Sequence, residues 1–187
     1  MKMVESLLSI SASRIRAALC ISLLALSGVV FAELPQATQA QVDDALQQLA
    51  KWAADPAMVG AVSSANAAGD SGMTNGRWVE LGADSGEVRA ITSTQTSEQL
   101  QQWKQSAGLN KLFLRAKNGT LVAGSQKPLV YNVSKRPPFK KAIAGSTWHA
   151  GKAKPDPTTQ KKVVQISVPV KDAGGVIGVL HSAVQVN

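Results

Sequence analysis

The sequence predicts an α+β fold, with a long N-terminal helix packed on a sheet of roughly five antiparallel strands. Three observations lead there. Val42, Leu46, Leu49 and Ala53 recur at helical spacing, with Trp52 beside them. From Asn110 onward the pattern changes to short β-rich runs separated by turn residues. The helical segments precede the strands, which is the order of an α+β chain and not of an alternating one.

The first helix is expected to begin near Thr38 or Gln39, with Asp43, Asp44, Gln47, Gln48 and Lys51 on its wet face. Asp55-Pro56 breaks it, because a residue before proline is pushed out of helical geometry. Asp55 can then cap a second helix that has Pro56 at its first position and runs to about Ala67. Residues 66–76 are rich in small residues and glycine and read as loop. Trp78, Val79 and Leu81 fit a short strand or a short helix, and Val88 to Thr92 fits a short strand. Ser97 with Glu98 starts a further helix with Leu100 and Trp103 turned inward. Gly108 suits its left-handed C-terminal position.

The strands follow in order. Asn110 to Ala116 is β-rich, and Thr120 to Ser125 returns after Asn118-Gly119, a hairpin signal whose two central residues both want positive φ. Residues 126–138 hold Pro128, Pro137 and Pro138 and form a long loop. Phe139 to Ala144 reads as a short helix ended by Gly145. Ser146 to Ala153 and Val163 to Val170 read as strands, with a proline turn over residues 154–160 between them. Asp172 to Gly175 is a turn, and Val176 to Val186 is the last strand.

The N-terminus carries the three parts of a secretory signal: a basic region ending at Arg14 and Arg16, an apolar run, and small residues Val30 and Ala32 before a cut between Ala32 and Glu33. The apolar run, Ala17 to Val30, has 14 residues, short of the roughly 20 that a membrane-spanning helix needs. An uncleaved signal anchor is the alternative. The expected organisation is therefore a leader over residues 1–32 and one domain over residues 33–187, periplasmic or secreted. Cys20 is the only cysteine and lies in the leader. The mature chain then has no disulfide, thiol nucleophile or thiolate metal site, and must rely on its core. At 44% hydrophobic it can build one, although aromatics make up only 4%. Trp52, Trp78, Trp103 and Trp148 read as core anchors.

Charge is uneven. Residues 33–100 carry three basic and nine acidic residues, and residues 101–187 carry fourteen basic and two acidic ones. An anionic ligand or surface is drawn to the second half. A solvated basic face is the plainer account of most of these lysines. His149 and His181 are the only histidines. No serine elbow, thiol partner or i,i+4 histidine pair accompanies them, so neither catalysis nor metal binding is expected, and His181 reads as structural. Nothing calls for a cofactor. Nucleic-acid binding wants a recognition fold or interleaved aromatics, and export argues against it.

The closing strands carry a resemblance. Val164-Gln165-Ile166-Ser167-Val168-Pro169-Val170, then Lys171-Asp172 and a glycine turn, then Val176-Ile177-Gly178-Val179-Leu180, resembles the last hairpin of extracytoplasmic Cache (PDC) sensor domains. Leu112-Phe113-Leu114 through Asn118-Gly119-Thr120-Leu121-Val122-Ala123 is similar to the family's central hairpin. Trp52-Ala53-Ala54-Asp55-Pro56 is similar to the end of its long helix. The likeness covers roughly residues 40–187. It implies a PAS-like sheet with the long helix on one face and ligand-binding loops on the other. It also implies binding of a small metabolite outside the membrane and a membrane-bound signalling partner. The chain departs from the family in having Lys117 before the central Asn-Gly turn, where an aspartate is frequent. It lacks a complete amino-acid-binding motif. Because it stops at Asn187, directly after the last strand, it resembles a free-standing exported member.

In such a fold the pocket wall is expected between Ser125 and Lys140, where Lys127, Tyr131, Arg136 and Lys140 stand. Trp148, Gln165 and Ser167 are added from the strands. Arg136 suits a bidentate carboxylate, Lys140 a point charge, Tyr131 a hydroxyl contact, and Trp148 an apolar or cation–π wall. An anion is among the ligands these groups suit. The rival function is a scaffold that docks an anionic envelope partner through the basic half. A hydrolase is the third and least supported.

Overall fold

The computed structural model describes residues 34–186. The leader, its cleavage position and the alternative signal anchor lie outside the described residues.

Helix α1 (Gln36–Ala53) starts just before the expected point. Helix α2 (Pro56–Ala68) opens as the Asp-Pro pair predicts: the Asp55 carboxylate accepts a hydrogen bond from Ala57 N at 2.8 Å, and Pro56 fills the first position. Three more helices follow, α3 (Asn75–Glu80), α4 (Gly86–Thr92) and α5 (Gln95–Ser106). Each has a hydroxyl cap. Thr74 accepts from Arg77 N, Ser85 from Val88 N and Thr94 from Ser97 N.

These caps correct three expectations. Of the two alternatives for Trp78, Val79 and Leu81 the helix is the one formed, and it begins inside the segment read as loop. Val88 to Thr92 is helical where a strand was expected, because the Ser85 hydroxyl satisfies an end N–H and one turn is enough to bury Val88. The helix assigned to start at Ser97 starts at Gln95, capped by Thr94. Gly108 takes the left-handed conformation expected of it, at φ +61°.

The strands are β1 (Leu109–Ala116), β2 (Leu121–Gly124), β3 (Trp148–His149), β4 (Lys154–Pro155), β5 (Lys162–Asp172) and β6 (Gly175–Gln185), with helix α6 (Pro137–Ile143) between β2 and β3. Every pairing is antiparallel, in the order β2-β1-β6-β5-β3, and β4 also pairs with β5. The strand expected over residues 146–153 shrinks to β3 and one further bond, from Ala150 N to Gln165 O at 2.8 Å. The β1–β2 turn also differs from expectation. Its loop is Lys117-Asn118-Gly119, and only Gly119 has positive φ, at +85°. Asn118 instead uses its side chain, accepting from Thr120 N at 3.1 Å. A three-residue loop that ends in a left-handed glycine is the next commonest hairpin after the two-residue kind.

Alternation along the strands assigns the faces. Leu112, Leu114, Ile166, Val168 and Leu180 pack against Val42, Leu49, Met58, Val62 and Leu100 of α1, α2 and α5. Trp52 stacks on Trp103 at 4.9 Å with planes 3° apart, which ties α1 to α5. Phe113 and Val179 belong to the other face, in two smaller clusters with Tyr131 and Trp78 and with Phe139 and Ala142. This is the α+β arrangement expected from the sequence, with the long helix on one face of the sheet and the loops on the other. Among the described residues no helix is long and apolar enough to cross a membrane.

Helix α2 lies so close to β6 that only glycine fits between them. A Cβ on Gly178 would stand 2.3 Å from Arg115 O and 2.7 Å from Val62 Cγ1. Gly178→Ala is expected to destabilise the protein by about 1–3 kcal/mol. Gly60, exposed on α2, has nothing within 4 Å of a Cβ, so Gly60→Ala is expected to stabilise by about 0.5–1 kcal/mol. Urea midpoints at unchanged m-value check both, and equal shifts for the two would contradict the close-approach account.

Candidate ligand-binding cleft

On the face away from α1 the sheet carries a cleft of 680 Å³. Small-molecule sites span about 300–1,000 Å³. Its floor comes from a cross-strand row. Phe113 pairs with His181, His181 with Ser167, and Ser167 with Trp148. Arg115 is the next cleft-facing residue along β1 and pairs with Val179. One wall is the loop from Gln126 to Pro138, and the other is the segment from Trp148 to Thr158. Prolines 128, 137, 138, 155 and 157 make much of both walls apolar and stiff.

Arg115 dominates the electrostatics. It is only 2% exposed. Its Nη1 donates to Tyr131 O at 2.5 Å and its Nη2 to Val130 O at 3.2 Å. Its Nε is buried with no acceptor among the described residues. The guanidinium carbon lies 5.5 Å from the Phe113 ring centroid. Burial pushes the pKa of the group down to about 9, so it stays charged at neutral pH. Two carbonyl dipoles are its polar partners, and no carboxylate among the described residues pairs with it.

His181 lies beside it. Its Nε2 is buried and also lacks a partner. Burial, and then the charge of Arg115, pull the imidazole down to about 3, so it is neutral under ordinary conditions. Lys111 contrasts with Arg115, because it forms an ion pair with the buried Asp156. Burial works against ionisation of Asp156. Hydrogen bonds from Lys111 and Thr158 outweigh that and hold the carboxyl well below the usual carboxylate range.

Of the residues singled out from the sequence, Lys127, Arg136, Trp148 and Gln165 line the cleft. Lys127 also places its Nζ 5.4 Å from the Trp78 ring. Tyr131 does not line it. Its ring is buried against Trp78 at 5.3 Å and its hydroxyl is 3.0 Å from Ser71 Oγ, so its contribution is the carbonyl that holds Arg115. Ser167 is buried and donates to Pro138 O at 3.1 Å, which fixes the start of α6 instead of facing a ligand. Lys140 is exposed on α6, outside the lining. Sequence reasoning passed over Arg115 and Lys111, and it set His181 down as structural. The signal was present in Lys111-Leu112-Phe113-Leu114-Arg115. There the leucines mark the helix face, so the two cations fall on the other.

The chain matches no protein-family model and no curated protein. Solved structures do resemble it. The sensor domain of the V. cholerae histidine kinase DctB is 17% identical with a TM-score of 0.43, over 80% of this chain and 57% of that one. The ligand-binding domain of the Pseudomonas aeruginosa PAO1 amino-acid chemoreceptor PctC, in complex with GABA, is 17% identical with a TM-score of 0.49, over 81% and 56%. The sensory domain of the Campylobacter jejuni chemoreceptor Tlp3 with isoleucine bound is 15% identical with a TM-score of 0.40, over 81% and 64%. The chain thus spans little more than half the length of the first two.

The state of His181 gives a pH signature. An unfolded imidazole titrates near 6.5, and the folded one near 3. Between those values the unfolded chain holds a proton that the folded chain does not. Stability therefore falls as pH drops through that window. From pH 7 to pH 5 the loss is expected to reach about 2 kcal/mol, since one pKa unit is worth roughly 1.4 kcal/mol. The Asp156 contribution is lost only below about pH 4, where unfolded aspartates protonate. Denaturant titrations at pH 7 and pH 5 check this, and His181→Leu is expected to flatten the difference.

Proposed function

We propose that the protein is an extracytoplasmic, sensor-type domain that binds a small organic molecule, an anion, in the cleft between Arg115 and Trp148. In this reading it is exported through cleavage after Ala32 and passes its occupancy to a membrane-bound partner. The observation that carries the reading is the cleft itself. It is of ligand size, walled by prolines and aromatics, and its lining includes Arg115 and His181, each with a buried nitrogen that has no partner among the described residues. A few convergent polar groups on an apolar surface are what small-molecule recognition needs.

The reading is of binding and not catalysis. The hydroxyls of the cross-strand partner and the chain neighbour of His181 are already committed, Ser167 Oγ to Pro138 O and Ser182 Oγ to Lys111 O. Neither is free to serve as a nucleophile with the imidazole as its base.

The cleft wall also supports a signalling role. The carbonyls of Val130 and Tyr131 receive the Arg115 guanidinium. The same stretch is tied to α3 by Trp78 Nε1 donating to Pro128 O at 2.8 Å and by Asn132 N donating to Asn75 Oδ1 at 2.7 Å. A ligand that competes for Arg115 therefore acts on the segment that holds α3 in place.

A thermal-shift screen of small carboxylates, amines and neutral metabolites on the purified protein tests the reading. At least one class is expected to raise Tm. Trp148→Ala, at a half-buried position, is expected to weaken that ligand about tenfold, the effect of roughly 1.4 kcal/mol, while leaving the fold intact. Salt-sensitive retention of envelope components with no small-molecule shift would favour the scaffold instead. N-terminal sequencing of the exported protein is expected to begin at Glu33.

A further inference from the structure

The exposed cations gather on one side of the molecule. Residues 126–162 hold nine lysines and arginines and a single acid, Asp156. Eight of the nine cations are exposed, and none forms an ion pair among the described residues. Asp156 is buried and already paired with Lys111, so the segment shows solvent no carboxylate side chain. Residues 36–106, which include α1 to α5, hold four cations against eight acids.

The fold brings these cations to the face away from α1. Arg136 stands on one wall of the cleft, and Lys152 and Lys154 on the other. Helix α6 turns Phe139 and Ala142 toward Val179 on that same face, which leaves Lys140 and Lys141 in solvent. Lys140 is one turn from Arg136, its N–H donating to the Arg136 carbonyl at 3.0 Å. Charges spread over two walls and a helix exceed the reach of one small ligand. They suit an extended array of negative charge.

An apolar tip lies within the same face. Among the described residues the exposed large apolar side chains are Val79 and Leu129, at 67% and 53%. Leu129 is in the cleft wall, two residues after Lys127. Val79 follows Trp78, whose indole donates to Pro128 O, so it belongs to the helix that this stretch of loop is tied to. A soluble polyanion engages the charge alone. A bilayer engages both features, with phosphate headgroups for the cations and a hydrocarbon boundary for a leucine.

We infer that this face docks on a bilayer rich in anionic phospholipid, with Leu129 entering the headgroup layer among Lys127, Arg136, Lys140, Lys141, Lys152 and Lys154. The acid-rich helices are repelled by the same surface, which selects one orientation. Each cation held close to an anionic surface strengthens attachment roughly fivefold. The inference goes beyond the small-molecule reading and does not depend on it, because it uses the rim of the cleft and none of its floor.

Vesicle sedimentation tests it. The purified exported protein is mixed with vesicles of phosphatidylcholine alone, or of phosphatidylcholine with phosphatidylglycerol, at low and at high salt, roughly 50 and 300 mM. It is expected to bind the anionic vesicles only, and to lose about tenfold or more in affinity at the higher salt. Lys140→Glu with Lys141→Glu reverses two solvated charges and is expected to weaken binding about tenfold or more. Lys152→Glu with Lys154→Glu is expected to do the same, and it serves if the α6 variant fails to fold. Lys51→Glu with Lys104→Glu, on the helix side, is expected to leave binding unchanged. Leu129→Ser is expected to weaken vesicle binding severalfold and to leave retention on dextran sulfate as it was. The inference is overturned if neutral vesicles bind equally, if neither kind binds, or if the helix-side pair matters as much as the α6 pair. It is also overturned if dextran sulfate or DNA binds where vesicles do not, or if Leu129→Ser leaves vesicle binding intact. None of these outcomes bears on the thermal-shift screen of the cleft, and failure of that screen leaves this inference standing.

Discussion

The structure depends on the register of three central strands. β1, β6 and β5 pair so that Leu114, Leu180 and Val168 form one row toward the helices. Phe113, His181 and Ser167 form the adjacent row toward the cleft. Side chains alternate with a period of two, so a slip of one residue exchanges these sets. It would thrust Arg115 among Leu49, Met58 and Leu100 and bring Leu114 to the cleft floor. Both outcomes are prohibitive, one for an unpaired buried cation and the other for exposed apolar area. Core and cleft therefore fix each other. The close seat of α2 on Gly178 adds a steric pin at the same place, since Val62 fits only where β6 has no side chain.

Much of this was legible in residue order. The Asp-Pro break, the β-rich runs after Asn110, the glycine turn before β6 and the left-handed Gly108 each follow from local chemistry that tertiary structure did not override. Local β-propensity misled at Val88 to Thr92, where a single capping hydroxyl and one buried side chain decide for helix. The asparagine-glycine turn was located correctly and its form was not, because Asn118 bonds to its own backbone with its side chain and leaves only Gly119 in the left-handed region. The position of the cleft was legible as the loop-bearing side of the sheet. Its chemistry was less so. Tyr131 and Ser167 are polar residues whose hydroxyls serve the protein itself. Nothing in their local sequence distinguishes that from facing a ligand.

The loop over residues 126–136 is where fold and site become one problem. It has little regular structure, so its backbone groups must find partners elsewhere. Asn132 donates from its backbone to Asn75, Pro128 O accepts from Trp78, and Val130 and Tyr131 accept from Arg115. Val133 N donates to Gly119 O at 3.0 Å, and Ser134 packs where only a glycine at that turn leaves room. The loop is therefore built from both sides, by α3 and by the β1–β2 turn, with Arg115 at its centre. An arginine satisfied by backbone carbonyls is rigid as well as charged.

Lys111 and Arg115 show why a count of cations is a poor guide to a binding site. They lie on the same strand and face the same side, one pleat pair apart. Lys111 reaches an aspartate that the turn at residues 154–160 delivers and buries, with Thr158 and Thr159 bonding the same carboxylate. That pair is internally complete. Arg115 reaches only neutral carbonyls. Its direct cross-strand partner, Val179, is an apolar side chain packed against Phe139 and Ala142 and offers it no charge. The difference between the two cations is thus a difference in what the opposite strand and turn supply. It is the buried one, Arg115, that the described residues leave without a carboxylate.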